Sequence, residues 1–373
     1  MTAPNHENQR NQGDQTSIHG QDEESPREAE GATIALYSDP GRTSMWVRRL
    51  LKEEGGQGWS RSAEIVHQQS LIPLRSDHTL DLEAVQAWTR DDEADLTIIV
   101  TEIPRMAGRR PKLSELHFDE RMAIISLPAL GPIAIRSALR RELRRCVDAL
   151  LHNSLDEARD KAGLSTEVQD QRGRESFYTT PKGLLPGRSW TTLGMVAANE
   201  PLAALPKLSG VFAAAAATGA FGIFFSTIWE MATFLPVWRL AVAASIAVVL
   251  IVLWLILANR LWDRPGSMNG KREALMYNAS TIVSLTFSVA VLYLSLFTAI
   301  LLDGLLLIDP EFMADTNGEE ANFSNYVDIA WLSASMGTVA GAVGSNFDSQ
   351  ANLRNLTQGS REAQRYPRDE EQS

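Results

Sequence analysis

The stretch ATIALYSDPGRTSMWVRRLLKEE, residues 32 to 54, decides the fold class of the first half of this chain. ATIALYS is a mostly apolar run of strand length, the pattern of a strand buried on both faces. Asp39-Pro40-Gly41 breaks it, and Met45, Val47, Leu50 and Leu51 then recur at helical spacing. Working outward, AEIVHQ (63 to 68) reads as a weaker strand and LDLEAVQAW (80 to 88) as a helix. DLTIIVTEIP (95 to 104) reads as the clearest strand in the chain. A basic loop from Arg105 to Lys112 is followed by KLSELHF (112 to 118), which alternates as a strand does, and by the buried run MAIISLPAL (122 to 130). A helix from about Ile133 to Leu151 closes the unit. Strands interleaved with helices predict a small Rossmann-like α/β domain over 32 to 152, with a largely parallel sheet. A hairpin across Asp119 and Glu120 would make that sheet mixed.

On either side of this unit the composition changes. Residues 1 to 31 hold Ile18 as their one large aliphatic residue after Met1, too little apolar surface to offset chain entropy, and are expected to be a disordered tail. They also lack the basic start and apolar core of a signal peptide, so the α/β unit is expected to stay in the cytoplasm. Residues 153 to 207 read as a linker and juxtamembrane segment, charged at first, broken by Pro181, Gly183, Pro186 and Gly187, with Trp190 suited to a membrane interface. A second disordered, cytoplasmic tail is expected over 348 to 373.

Between 208 and 347 lie four uncharged stretches, predicted as spans at about 208 to 229, 240 to 259, 277 to 302 (inside uncharged Ala274 to Leu302) and 329 to 347. About 20 apolar residues cross a bilayer core. The fourth stretch is the weakest, diluted by Ser333, Ser335, Gly337, Thr338, Gly341 and Gly344, and reads alternatively as a re-entrant segment. Arg260, Arg264, Lys271 and Arg272 follow the second span, and Arg354, Arg361, Arg365 and Arg368 follow the fourth. The segment from Asp303 to Asp328 has seven acids (Asp303, Asp309, Glu311, Asp315, Glu319, Glu320 and Asp328) and no Lys or Arg. By the positive-inside rule the chain is a multi-pass protein of the cell membrane with both termini cytoplasmic and the acidic segment outside.

Charge and motifs exclude more than they assign. The formal charge of −11 comes from 46 acidic against 35 basic residues, and no domain-sized segment is strongly basic, which argues against nucleic acid. A single cysteine rules out an internal disulfide. Open sheets bind ligands at the carboxyl ends of their strands. There the sequence offers Asp39, Gly41, Arg42 and Thr43, then Thr101 and Glu102, Arg109 in the basic loop, and Ser126 with Gly131. Free amides of a helix starting near Thr43, with Arg109 adding charge, would suit a small anion. The same Asp-Pro-Gly reads equally as a turn and Glu102 as a solvated strand end. Neither GxGxxG nor GxxxxGK[ST] occurs. The six histidines (His6, His19, His67, His78, His117, His152) have no ligand spacing, so no metal is assigned, no cofactor follows, and Cys146 reads as a packing residue. On the last helix Arg136, Arg140 and Arg144 form a face suited to lipid headgroups or simply to water. No Asp, Glu, Lys, Arg or His lies in the middle of a span, which disfavours a transporter or channel. Small-residue ladders, including Gly337 and Gly341, suit close packing within a four-helix bundle or between copies of the chain.

TEIP (101 to 104), SLPALG (126 to 131), GMVAANEPLAALPKLSGVFAAAAATGAFG (194 to 222), WRLAVAA (238 to 244), MYNASTIVSL (276 to 285) and WLSASMGTVAGAVGS (331 to 345) resemble a group of uncharacterised actinobacterial multi-pass membrane proteins. The likeness runs over about 32 to 350 and implies the same architecture. Some members of that group carry a methylene-tetrahydrofolate dehydrogenase label. That soluble family has a catalytic Lys in a YxxxK setting and a PGGVGP-like cofactor loop, both expected to be absent here, so no residue is assigned as catalytic. Two readings follow: a non-catalytic membrane protein whose cytoplasmic α/β module binds a ligand or partner, or a membrane-anchored enzyme acting on a nucleotide- or folate-like anion at the strand ends.

Overall fold

A computed structural model describes residues 32–53, 64–74, 80–91, 94–151, 165–168, 175–199, 201–263 and 271–344. Both expected tails and the charged start of the linker lie outside the described residues.

The first half is an α/β unit. Strands β1 (Thr33–Ser38), β2 (Glu64–Gln69), β3 (Leu96–Thr101), β6 (Ser114–His117), β7 (Met122–Ser126), β8 (Ser165–Val168) and β9 (Glu175–Thr179) form one sheet in the order β2-β1-β3-β7-β6-β9-β8. The first four of these neighbours are parallel and the remaining pairs antiparallel, so the sheet is mixed. All six residues of β3, LTIIVT, are buried, as its near-continuous apolar run requires of a strand covered on both faces. On one face Ile34, Leu36, Ile98, Val100 and Ile125 meet helices α1 (Arg42–Glu53) and α3 (Ile135–Leu151) through Val47, Leu50, Leu139, Leu143 and Val147. On the other, Ala35, Tyr37, Ile99, Met122 and Ile124 meet Ile72, Leu74 and Val85, the last on helix α2 (Leu82–Asp91).

Two boundaries differ from the sequence reading. The sheet does not end at 152: β9 pairs with β6, Glu115 opposite Tyr178, so part of the supposed linker belongs to the α/β unit. A five-residue strand among charged residues gives too short a pattern to read. The basic loop is a small antiparallel hairpin of β4 (Arg105–Ala107) and β5 (Arg110–Lys112), turning at Gly108, whose φ is +54°.

The second half is helical. Two helices are long and apolar enough to cross a membrane, Val237–Ala258 and the Ala274–Leu307 part of the 37-residue helix Lys271–Leu307. A third arises if helices Ser209–Phe224 and Ser226–Phe234 count as one span, although they are bent by 86° at Phe225. The first piece has 16 residues, about 24 Å of helix against a hydrocarbon core of about 30 Å, so the stretch expected at 208 to 229 is a broken element. The freed carbonyl of Gly222 accepts the indole N–H of Trp229 at 2.9 Å.

Helix Phe323–Gly344 packs on Ser209–Phe224 by close backbone approach. A Cβ on Gly337 would collide with the carbonyl oxygen of Ala215, and one on Gly341 would meet the Ala215 side chain. Both glycines are buried within the chain, where the small-residue ladder serves internal packing. The acidic segment is ordered. Asp309 caps helix Pro310–Asn317 by accepting from the backbone N–H groups of Glu311 and Phe312, Met313 is buried, and Tyr326 donates to the carbonyl of Ile308.

Candidate functional site

The strand ends that the sequence nominated come together, but their side chains satisfy one another. Asp39, the residue after β1, is fully buried; its Oδ2 accepts from the Thr101 hydroxyl at 2.7 Å and the Glu102 N–H at 2.8 Å, and its Oδ1 from the Ile72 N–H at 3.3 Å. The neighbours β1 and β3 flank the point where strand order reverses, which is where open sheets usually take ligands. Here a buried carboxylate of the chain ties β1, β3 and the segment after β2 together. Ser126, at the end of β7, donates to the Ile103 carbonyl at 2.9 Å and extends the tie to the next strand.

Over the same edge lies a twelve-residue helix, Gly187–Ala198, hereafter the joint helix. Arg42 donates from Nη1 to the carbonyl of Ala197, a cation at a helix C-terminus where the dipole favours it. Thr43 is buried beneath this edge at the start of α1. Gly131 has φ +89°, and a Cβ there would collide with the ring of Trp190, as would a Cβ on Gly183. The Trp190 indole N–H donates to the Leu130 carbonyl at 3.1 Å. Trp190 therefore pins the joint helix to the sheet edge. Gly194 completes the seat, since a Cβ on it would overlap the Pro128 carbonyl in the 3-10 turn Leu127–Leu130. Arg109 sits exposed at the tip of the β4–β5 hairpin, where only its carbonyl is engaged, accepting from Arg188 Nε at 2.9 Å. The structure thus joins Arg42, Ser126 and Gly131 beneath one covering helix and leaves the Arg109 side chain outside.

The far side of the joint helix meets the long helix Lys271–Leu307. Asn199 donates from Nδ2 to Ser280 Oγ at 3.1 Å and Ser284 Oγ at 3.2 Å, and Met195 is buried with Met276 and Tyr277. One short helix is therefore seated on the α/β sheet and on an apolar membrane-length helix at once.

A second constellation escaped the sequence reading. Glu115, buried, pairs with Arg105, with Lys112 Nζ at 3.0 Å, and with His117 Nε2 at 3.7 Å; Lys112 Nζ lies 5.3 Å from the centre of the Tyr178 ring. Burial works to raise the Glu115 carboxyl, but the Arg105 guanidinium, the Lys112 ammonium and the His117 ring outweigh it and hold the group at about 2. Burial lowers His117 from its ordinary value, against the pull of Glu115. A carboxylate held so low is a poor general base near neutrality, where an effective base titrates close to the working pH. The cluster is a brace between the hairpin and the sheet. The signal was present in KLSELH: Glu115 and His117 are two apart, so they share one face of a strand whose other face carries Leu116.

The remaining nominated residues are placed as follows. Arg136 and Arg140 both pair with Glu53, at 2.6 Å and 3.1 Å, so two of the three lipid-facing candidates have a partner on α1, and Arg144 is exposed beside them. Cys146 is buried in the core, where burial and the Glu142 carboxylate push its thiol up and out of reactive range. Among the described residues no three His, Cys, Asp or Glu side chains converge as a metal site would require. One motif expectation needs correcting: Tyr178 to Lys182 does match YxxxK. On a helix that spacing would bring both groups to one face. Here Tyr178 lies in strand β9 facing Lys112, while Lys182 is exposed in the loop beyond, so the spacing does not bring the two onto one helical face. Comparison with protein families, curated proteins and solved structures finds no match.

Proposed function

We propose that this chain is a multi-pass membrane protein that holds a cytoplasmic α/β binding module against its membrane bundle, both termini being cytoplasmic. In this reading the bundle has four spans, the broken pair and helix Phe323–Gly344 completing the two long ones. The observation that carries the proposal is the joint helix, seated on the sheet edge through Gly194 and Trp190 and on the long helix through Met195 and Asn199. A module fixed in this way moves with the bundle, so a partner engaged by one is felt by the other. The buried Asp39 carboxylate at the end of β1 is engaged by the chain's own donors and would repel an anion, which favours partner binding on the outer surfaces over turnover of a small anion there. The long helix starts beside the module and ends at the acidic segment, so the two lie at opposite ends of a rod of 37 residues, about 55 Å. That separation supports an external acidic segment.

The test is the topology of the full chain in sealed vesicles or cells. Asp315, exposed in the acidic segment, is replaced by Cys in a Cys146→Ser background. A membrane-impermeant maleimide should label Asp315→Cys from outside without permeabilisation. Labelling only after permeabilisation would refute the orientation, and recovery of the chain in the soluble fraction would refute membrane insertion.

A further inference from the structure

Between the joint helix and the start of the long helix runs a groove of about 410 Å³, lined by Arg188, Ser189, Thr192, Leu193, Leu275, Met276 and Ala279. That volume falls within the range of small-molecule sites, about 300–1,000 Å³. Its two ends differ in chemistry. At one end lies the first turn of the joint helix, with Arg188 and Ser189, and the residue before it, Pro186, supplies no side-chain cap. The amides of such a turn point outward and favour an anion. Arg188 gives Nε to the Arg109 carbonyl, while its Nη2 has no hydrogen-bond partner. Arg188 lines the groove, and its guanidinium charge favours an oxyanion at this end. Toward the other end the walls are apolar: Leu193 on one helix, Leu275, Met276 and Ala279 on the other.

The position of this amphipathic groove selects its occupant. Leu275 is 68% exposed and opens the membrane-length segment Ala274–Leu307, whose outward stripe continues through Ile282, Val283, Phe287 and Leu294. The groove therefore runs from an anion-favouring helix end onto a surface suited to hydrocarbon. We infer that it binds one anionic phospholipid from the leaflet facing the α/β module, the phosphate at Arg188, Ser189 and the first-turn amides, and an acyl chain along Leu193, Leu275 and Ala279. This inference rests on the membrane reading above. It places the lipid contact at the joint, apart from the Arg136 and Arg140 face that Glu53 occupies.

The full chain, purified in detergent and mixed with vesicles of phosphatidylcholine with or without phosphatidylglycerol, tests it by flotation followed by native mass spectrometry of the retained lipid. Wild type should float and keep one phosphatidylglycerol in preference to phosphatidylcholine. Arg188→Gln and the groove-filling Ala279→Phe should float equally well yet retain phosphatidylglycerol about tenfold less, the loss of one good ionic contact. Arg188→Lys should recover part of the binding, because a point charge still attracts phosphate without the bidentate fork. Equal retention of both lipids by wild type, or unchanged retention by both variants, would overturn the inference while leaving the membrane reading intact. Displacement of the lipid by inorganic phosphate, with Ala279→Phe neutral, would assign the site to a free anion and overturn it as well. Failure of wild type to float would remove the membrane reading and this inference with it.

Discussion

The two halves of this molecule bury their polar groups by opposite means. In the α/β half, charge is drawn inside and neutralised: Glu115 among Arg105, Lys112 and His117, and Asp39 among three donors. In the helical half, contact is made by removing side chains, so that Gly337 and Gly341 bring one helix onto the backbone of another at Ala215. A sheet strand presents every second side chain to each face and has room for a long cation to reach a carboxylate. A helix pair in an apolar setting gains chiefly from dispersion between closely approaching backbones. The α/β half should consequently respond to pH and to loss of charge, and the bundle to added volume.

The sharpest break in that contrast is Glu115→Gln, which leaves Arg105 and Lys112 buried without their carboxylate. Removing one partner of a buried pair costs about 3–5 kcal/mol. Hydrogen exchange on the full chain should show faster exchange across β6, β7 and β9 with the bundle amides unchanged; equal loss in both halves would mean they do not fold as separate units. Next is Asp39→Ala, which strands the Thr101 hydroxyl and the N–H groups of Ile72 and Glu102. Unsatisfied buried donors cost about 1–3 kcal/mol each, partly relieved by relaxation, so a loss of about 3 kcal/mol is expected in denaturant melts of the module. Gly337→Ala adds one methyl against the Ala215 carbonyl and should destabilise the bundle by about 1–3 kcal/mol. Its melting should shift while exchange in the sheet does not.

Acid separates the halves without mutation. The Glu115 carboxyl lies at about 2 in the folded chain against 4.5 ordinarily, so its stabilisation is complete above 4.5 and fades as the pH falls toward 2. His117, lowered by burial, acts in the same direction, because acid must charge a ring that the fold keeps neutral. The module should melt earlier as pH drops through that window, and Glu115→Gln should flatten the profile. The smallest effect is Trp190→Phe, which removes the hydrogen bond to Leu130 and should cost about 1 kcal/mol, read as faster exchange of the joint helix alone.

Those effects also mark what the sequence discloses. Apolar runs such as LTIIVT announce buried strands, and the alternation of SELH followed by MAIIS announces the hairpin β6–β7, because local periodicity alone determines them. Asp39 is visible as a strand-end carboxylate, but its role inverts in the fold: the donors it binds lie 33, 62 and 63 residues away, beyond any local pattern. Trp190 reads from the sequence as suited to a membrane interface, while its seat between the glycines at 131 and 183 depends on residues that no local pattern links to it. The bend at Phe225 has no proline to announce it and is stabilised by Trp229 reaching back to Gly222.

The joint helix has a consequence for how the protein is made. Its partners Ser280 and Ser284 lie 81 and 85 residues after Asn199, so at about 5–20 residues per second they emerge roughly 4–17 s later. The sheet and the seat for Trp190 are complete before that, and the helix waits with Met195 and Asn199 unmatched until the long helix arrives. A failure of the long helix to dock would therefore leave a finished module wearing an unmatched helix, its Met195 and Asn199 exposed for a protease or chaperone to recognise.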